Sequence, residues 1–259
     1  MNQAIPDIGP WELALGLVFI LMAGLASLAF GLRLGRDLAI GTARTFIQLF
    51  IMGYVLSIVF GLGSPWPTLA IFLVMIVSAA RIVKGRVGKA SAAYGMPVLL
   101  SMLASYSLVS VLAVGVIVGA KPWWEPRYFL PIAGMVIGNS MTALAVSLER
   151  LFSELRSGRD AVEMRLTLGA DVDEASRDAV AAAVRAGMMP SIVSLMGVGL
   201  VFLPGMMTGQ ILAGADPMTA IRYQIVVMLM LVGSTALCSV AAVLWVRRRC
   251  FGSGHRLII

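Results

Sequence analysis

Charge is scarce in this chain, and so are the residues that hold metals and phosphates. Only 13% of its 259 residues are Asp, Glu, Lys or Arg, against about a quarter in a soluble domain. Hydrophobic residues make up 59% and the mean hydropathy is +0.94, so the chain reads as an integral membrane protein lying almost wholly in the bilayer. One histidine, His255, and two cysteines, Cys238 and Cys250, supply no zinc motif and no disulfide framework; both cysteines are expected as free thiols. No Gly-rich loop followed by Lys is present, so the chain does not bind ATP by that means. No set of residues forms an enzyme constellation. No Asp or Glu falls in the middle of an apolar segment, where a proton- or sodium-coupled transporter needs one.

The net charge of +7 would suit nucleic acid, but the basic residues gather at the ends of apolar segments, as membrane topology requires. The N-terminus carries Asp7 and Glu12 and no basic residue before Arg33. It lacks the basic start of a cleaved signal peptide, so the first segment is expected in the mature protein.

Seven segments are long enough to cross a hydrocarbon core of about 30 Å as helices. They are expected near Trp11–Leu32, Leu38–Phe60, Thr68–Val83, Met96–Gly119, Tyr128–Leu151, Met189–Ala213 and Ile221–Val246. The period-two alternation of a membrane barrel is absent. Arg33, Arg36, Arg81, Lys84, Arg86, Lys89 and Arg247-Arg248-Arg249 follow odd-numbered segments. The other connections hold only Lys121, Arg127 and Arg222. The positive-inside rule then places the N-terminus outside and the C-terminus in the cytosol.

Between the fifth and sixth segments lies a charged island, Arg159 to Pro190. Glu163–Leu168 favours helix, Gly169 supplies a turn, and Asp171 with Glu174 three residues on has the form of a capping box. A helix, a turn and a second helix running into a span would make a rigid handle for a cytosolic partner. The alternative is a solvated loop.

A few polar residues stand inside the spans. Arg44 and Gln48 share one face of the second segment; Arg44 either snorkels to the interface or lines a path. Asn139, Ser140 and Thr142 sit near the middle of the fifth, where such residues face a water path or bond between helices. Pro204 and Gly205 are expected to break the sixth segment and free backbone carbonyls for a substrate. Met206, Met207 and Gln210 would then offer thioether and amide groups, with Met206 or Met207 turned to a dimer centre. Methionine also fills gaps, and the chain has 17. GMVIG at Gly134–Gly138 and GMMTG at Gly205–Gly209 have the small-residue spacing of close helix packing.

PIAGMVIGNSM in the fifth segment, Glu163 with Gly169-Ala170, LPGMMTGQILAGADP at Leu203–Pro217 and AIRYQI at Ala220–Ile225 resemble the permease subunits of Fet-type ABC transporters. That family includes a bacterial iron-export permease and plant relatives tied to aluminium tolerance. The resemblance covers nearly the whole chain and is strongest from Pro131 to Ile225. The island also resembles the cytoplasmic loop of ABC import permeases, which has a Glu, then a Gly six residues later, in a helix-turn-helix that docks on the ATPase.

The resemblance implies an all-α integral membrane protein, a polytopic bundle of about seven transmembrane helices with a cytoplasmic helical coupling loop. It would be one permease domain over 1–259, with the coupling segment at 153–188. It would work as a homodimer in the cytoplasmic membrane with a separate ABC ATPase subunit, exporting a metal ion such as iron. ATP and Mg would sit on that partner and none on this chain; no nucleic acid is involved. Glu163, Arg165, Leu168, Gly169, Ala170 and Asp171 would couple to the ATPase. Arg44, Gln48, Asn139, Ser140, Thr142, Met206, Met207 and Gln210 would line the substrate path. One His and two Cys cannot make a tight transition-metal site, so any metal would meet weak oxygen or thioether ligands or travel with a ligand. The competing reading is an ion-coupled secondary transporter without an ATPase.

Overall fold

The computed structural model describes residues 9–87, 94–252 and 256–259; Asp7, Lys89 and His255 lie outside them. Seven helices have the length and apolarity to cross a membrane, and no strand forms among the described residues. Helices are the expected solution, because they satisfy every backbone polar group within the segment.

The chain divides into two compact units, Met1–Gly63 with Leu212–Gly214 and Ser64–Ile211 with Ala215–Ile259. The first contains α1 (Pro10–Ala29) and α2 (Gly35–Val59), which pack on each other. Pro10 opens α1 at a position where a missing N–H costs nothing. The turn between them takes left-handed backbone at Gly31 (φ 63°) and Arg33 (φ 57°). It is held where the Leu34 N–H donates to the buried Ser27 Oγ at 2.9 Å.

The second unit is built on α5 (Pro126–Ser157). It packs against α3 (Pro65–Val87), α8 (Arg177–Gly197) and α10 (Pro217–Arg249), and α10 packs in turn on α8 and on α4 (Gly95–Val111). α4 runs on as a π-helical turn, Leu112–Ile117. Pro126 opens α5 at its first turn. α10 begins four residues before the expected Ile221, because Asp216 caps it: its carboxylate accepts from the Thr219 N–H at 2.9 Å, and Pro217 follows at the first helical position. Arg247, Arg248 and Arg249 close the helix where cations favour the macrodipole.

The fifth span is longer than expected. Beyond Leu151 it continues to Ser157, with Leu151, Phe152 and Leu155 buried and Glu149 and Arg150 exposed. That one-sided pattern, rather than a continuous apolar run, carries the helix past the span.

The sixth span corrects the reading of an apolar helix from Met189 to Ala213. α8 starts at Arg177, so the second helix of the island and the membrane span are one element, with Pro190 inside it. It ends at Gly197. Residues 198–204 are non-helical, and α9 (Gly205–Leu212) follows. The break thus precedes Gly205 and is wider than a Pro-Gly kink. Gly199, at φ 86°, turns the chain, and its N–H donates to the Phe202 carbonyl at 2.9 Å.

The closest helix approach uses neither GMVIG nor GMMTG. A Cβ at Gly138, Gly205 or Gly209 would meet nothing within 4 Å. A Cβ at Gly187 on α8 would lie 1.9 Å from Ser147 Oγ and 2.5 Å from the Ala143 carbonyl oxygen of α5. Gly187→Ala should therefore destabilise the protein by about 1–3 kcal/mol, the usual cost of overpacking. Adding Ser147→Ala should recover only part of it, since the backbone oxygen remains. Thermal unfolding in detergent checks this; full recovery in the double variant would show that only the serine side chain opposes the methyl.

Candidate functional site

Two features of the second unit bring expected site residues together: a cavity in the bundle and the surface of the charged island. Arg44 and Gln48 belong to neither. Both are exposed on α2 in the first unit.

The cavity measures about 540 Å³ and is walled by α5, α8, the broken stretch, the start of α9, and α10. α5 contributes Asn139 and Thr142. Neighbouring positions on a helix point apart, and the expected pair Asn139–Ser140 separates accordingly. Ser140 is fully buried on the other side, 3.0 Å from Ser234 Oγ and 3.5 Å from Thr235 Oγ1 of α10. It is an interhelical fastener. Met206 lines the cavity. Met207 is only 8% exposed and lines a separate pocket of about 330 Å³. Pro204 borders both spaces. Gln210 lines neither, and its Oε1 is enclosed without a partner.

Sequence reading missed Ser191, Ser194 and Gln224, which also line the cavity. Gln224 is 5% exposed, and its Oε1 has no hydrogen-bond partner. A glutamine within the first turns of an apolar span, inside the motif Ala220–Ile225, was the available signal. No charged residue lines the cavity. Among the described residues no three His, Cys, Asp or Glu side chains gather into a metal site.

The island folds as α6 (Arg159–Thr167), α7 (Val172–Ala175) and the start of α8. Its turn is fixed twice over. At the end of α6 the Ala170 N–H donates to the Arg165 carbonyl and the Gly169 N–H to the Leu166 carbonyl, both at 3.1 Å. That is the Schellman pairing, with Gly169 in the left-handed region at φ 95°. Immediately afterwards the expected capping box forms: Asp171 accepts from the Glu174 N–H at 2.7 Å, and Glu174 accepts from the Asp171 N–H at 3.2 Å. Two adjoining caps leave the connection little freedom.

Charges then brace the island from within. Arg165 reaches Asp178 at 2.8 Å and the Ala175 carbonyl at 3.4 Å, tying α6 to α8. Glu163 pairs with Arg159 at 2.9 Å and not with Arg165. Arg159 also donates to the Leu257 carbonyl at 3.2 Å, so the buried Leu257 anchors the chain after α10 against α6. Arg247, at the end of α10, is 5% exposed and forms an ion pair with Asp173 of α7. A guanidinium so enclosed needs its partner, since a buried charge alone is costly. Among the charged residues that the island leaves outward stand two large apolar ones: Leu168 is 80% exposed and Met164 59%. Beside them lies a hollow of about 670 Å³ lined by Glu163, Gly169, Ala170, Asp171 and Arg256.

Both cysteines are free and buried. Burial pushes the Cys250 thiol up to about 12, with the Arg156 guanidinium opposing the shift. A cysteine scan can therefore be run on the native background. Thr142→Cys and Ser194→Cys should react with a small polar maleimide at pH 7.5, while Ser140→Cys and the unsubstituted protein stay unlabelled. Labelling of Ser140→Cys at the same rate would erase the distinction between cavity wall and core.

A family described as uncharacterised, UPF0014, matches residues 10–251. A UPF0014 membrane protein of Synechocystis is 35% identical over 98% of this chain and 96% of the relative. Probable iron export permease protein FetB of Escherichia coli is 33% identical over 96% of this chain and 94% of its own. Protein ALUMINUM SENSITIVE 3 of Arabidopsis thaliana is 36% identical over 88% and 82%. No solved structure matches the chain.

Proposed function

Because the chain belongs to the UPF0014 family of membrane proteins, we propose that it is the membrane subunit of an ABC-type exporter of metal ions, driven by a separate ATPase. The observation that carries this reading is mechanical. The island is joined to the cavity wall by two rigid members. α8 runs directly from Arg177 to the wall residue Ser191, about 21 Å at 1.5 Å per residue. α10 runs from Arg247, paired with Asp173, to Gln224, about 35 Å on the same rise. A push on α6 and α7 is thereby delivered to two sides of one cavity.

The exposed Leu168 and Met164 suit insertion into a groove on the ATPase, with the two caps holding their angle. ATP and Mg then belong to that partner. The orientation follows from the basic residues at span ends: island and C-terminus in the cytosol, N-terminus outside. A homodimer is supported by residues 198–204. Leu200 is 95% exposed and Val201 83% on non-helical backbone, which lipid does not tolerate uncovered; a second copy supplies the cover. The name of the Escherichia coli relative supports iron as cargo, and the metal-poor composition calls for a weak site that releases readily.

The test is a pull-down of the tagged ATPase, with ATP-driven metal transport in liposomes. Leu168→Asp should abolish co-purification while leaving the melting temperature unchanged, because the side chain touches little of its own chain. Gly169→Val meets no steric neighbour within 4 Å but is resisted by the left-handed φ; it should cost about 1–2 kcal/mol locally and reduce transport by misaligning α6. Undiminished pull-down and transport in both variants would leave the island a solvated loop.

A further inference from the structure

The cavity's polar groups divide their hydrogen bonds unevenly. Asn139 Nδ2 donates to the Met135 carbonyl at 3.0 Å, Thr142 Oγ1 to the Gly138 carbonyl at 3.2 Å, and Ser191 Oγ to Thr235 Oγ1 at 3.4 Å. Each of these side chains thus commits a donor to the protein and keeps oxygen lone pairs. Gln224, from the facing helix, adds a carbonyl oxygen with no partner at all. Gln224 lines both this cavity and the smaller pocket beside it, and a half-turn about its terminal torsion, which is soft and two-fold, exchanges its amide oxygen and nitrogen. The polar part of an otherwise apolar wall, Asn139, Thr142, Ser191, Ser194 and Gln224, thus keeps acceptors free and bears no charge.

We infer that this cavity holds its cargo as a hydrated divalent cation, recognised through the ion's own water molecules, with Gln224 as the principal acceptor. The inference rests on the metal-export reading and specifies how the metal is held. Water bound to a cation is a donor on every outward face, which complements the acceptors these five side chains offer. Six waters at roughly 30 Å³ each occupy about 180 Å³, a third of the 540 Å³ present, so the intact first shell fits with room to move. Stripping that shell in a cavity without carboxylates would leave the ion's charge unmet. Keeping it avoids the cost and explains how a site with no His, Cys, Asp or Glu serves a metal. Met135, Met206 and Met228 also line the space; thioethers prefer soft cations, and this gives the rival arrangement, direct sulfur ligation, a distinct signature.

The experiment measures Fe²⁺ binding to the purified full-length protein in nanodiscs, anaerobically, by equilibrium dialysis. Hexaamminecobalt(III) serves as a competitor whose ligands do not exchange, and Ag⁺ as a probe of thioether ligation. The inference expects saturable Fe²⁺ binding displaced by hexaamminecobalt(III). Gln224→Leu should weaken Fe²⁺ binding about tenfold or more with an unchanged or higher melting temperature, since it removes an unmet buried carbonyl. Gln224→Glu should tighten binding about tenfold or more by adding a charge near the ion, and slow efflux in proportion. Asn139→Leu gives a second, independent loss should Gln224→Leu fold poorly. Absence of saturable Fe²⁺ binding, or displacement by Ag⁺ but not by the cobalt complex with loss confined to Met206→Ile, overturns it. Binding needs no ATPase, so a failure of coupled ATP hydrolysis with binding intact would count against the exporter reading alone.

Discussion

Two helices are longer than the membrane is thick, and the rest of the molecule follows from where the excess goes. α5 has 32 residues and α10 has 33, about 48 and 50 Å at 1.5 Å per residue, against a hydrocarbon core of about 30 Å. The overhang of α5 leads through Gly158 into α6, and the overhang of α10 carries Arg247 in its last turn. Outside lipid, hydrophobic matching with the bilayer no longer positions these ends; side chains must do it. Leu151, Phe152 and Leu155 pack one face of the α5 extension, and Arg247 secures α10 to α7 through Asp173. The island is consequently a continuation of the membrane helices, and its geometry is inherited from theirs.

The cavity is the complement of that rigidity. α5 and α8 are pressed together at Gly187, where only the small Ser147 side chain and the Ala143 carbonyl face the glycine, and α8 stops further along at Gly197, where the chain turns through Gly199 before α9. Phe202, Leu203 and Pro204 of the non-helical stretch form one side of the cavity. Interior hydroxyls then sort by depth: Ser140, Ser234 and Thr235 satisfy one another between α5 and α10, and Ser191 reaches Thr235 from the cavity wall. Position on the helix face, not residue type, decides which of them meets the lumen.

How much of this could be read beforehand varies with the range of the interaction. Asp171-x-x-Glu174 and the turn at Gly169 were legible because caps are set by residues within five positions of each other, and the seven apolar segments were legible because each spans the bilayer by itself. The sixth span was misplaced because Arg177–Met188 is too polar for a hydropathy pattern, although a helix crossing an interface has no reason to stop there. The true close contact, Gly187 on Ser147, joins positions forty residues apart and carries no motif, whereas of the two glycine motifs only Gly134 has a near neighbour, the flexible end of Met75, and Gly138, Gly205 and Gly209 have open space beside them. Gln224 and the division between Asn139 and Ser140 needed helix rotation, which only the packed neighbours supply. The pairing of Arg165 with Asp178 likewise depended on how α6 folds back.

Arg247 has a consequence for the order of assembly. As one of three arginines closing α10, it belongs to the charge that an inserting chain shows to the membrane. In the finished fold its side chain is 6% exposed and committed to Asp173. The same charge cannot serve both purposes at once. Insertion must consume it first, as a solvated cation that retains the C-terminal end of α10 on its side, and only afterwards does the island close over it. Biogenesis of the island is thus timed behind translocation: α6 and α7 cannot settle until α10, which is synthesised after them, has arrived.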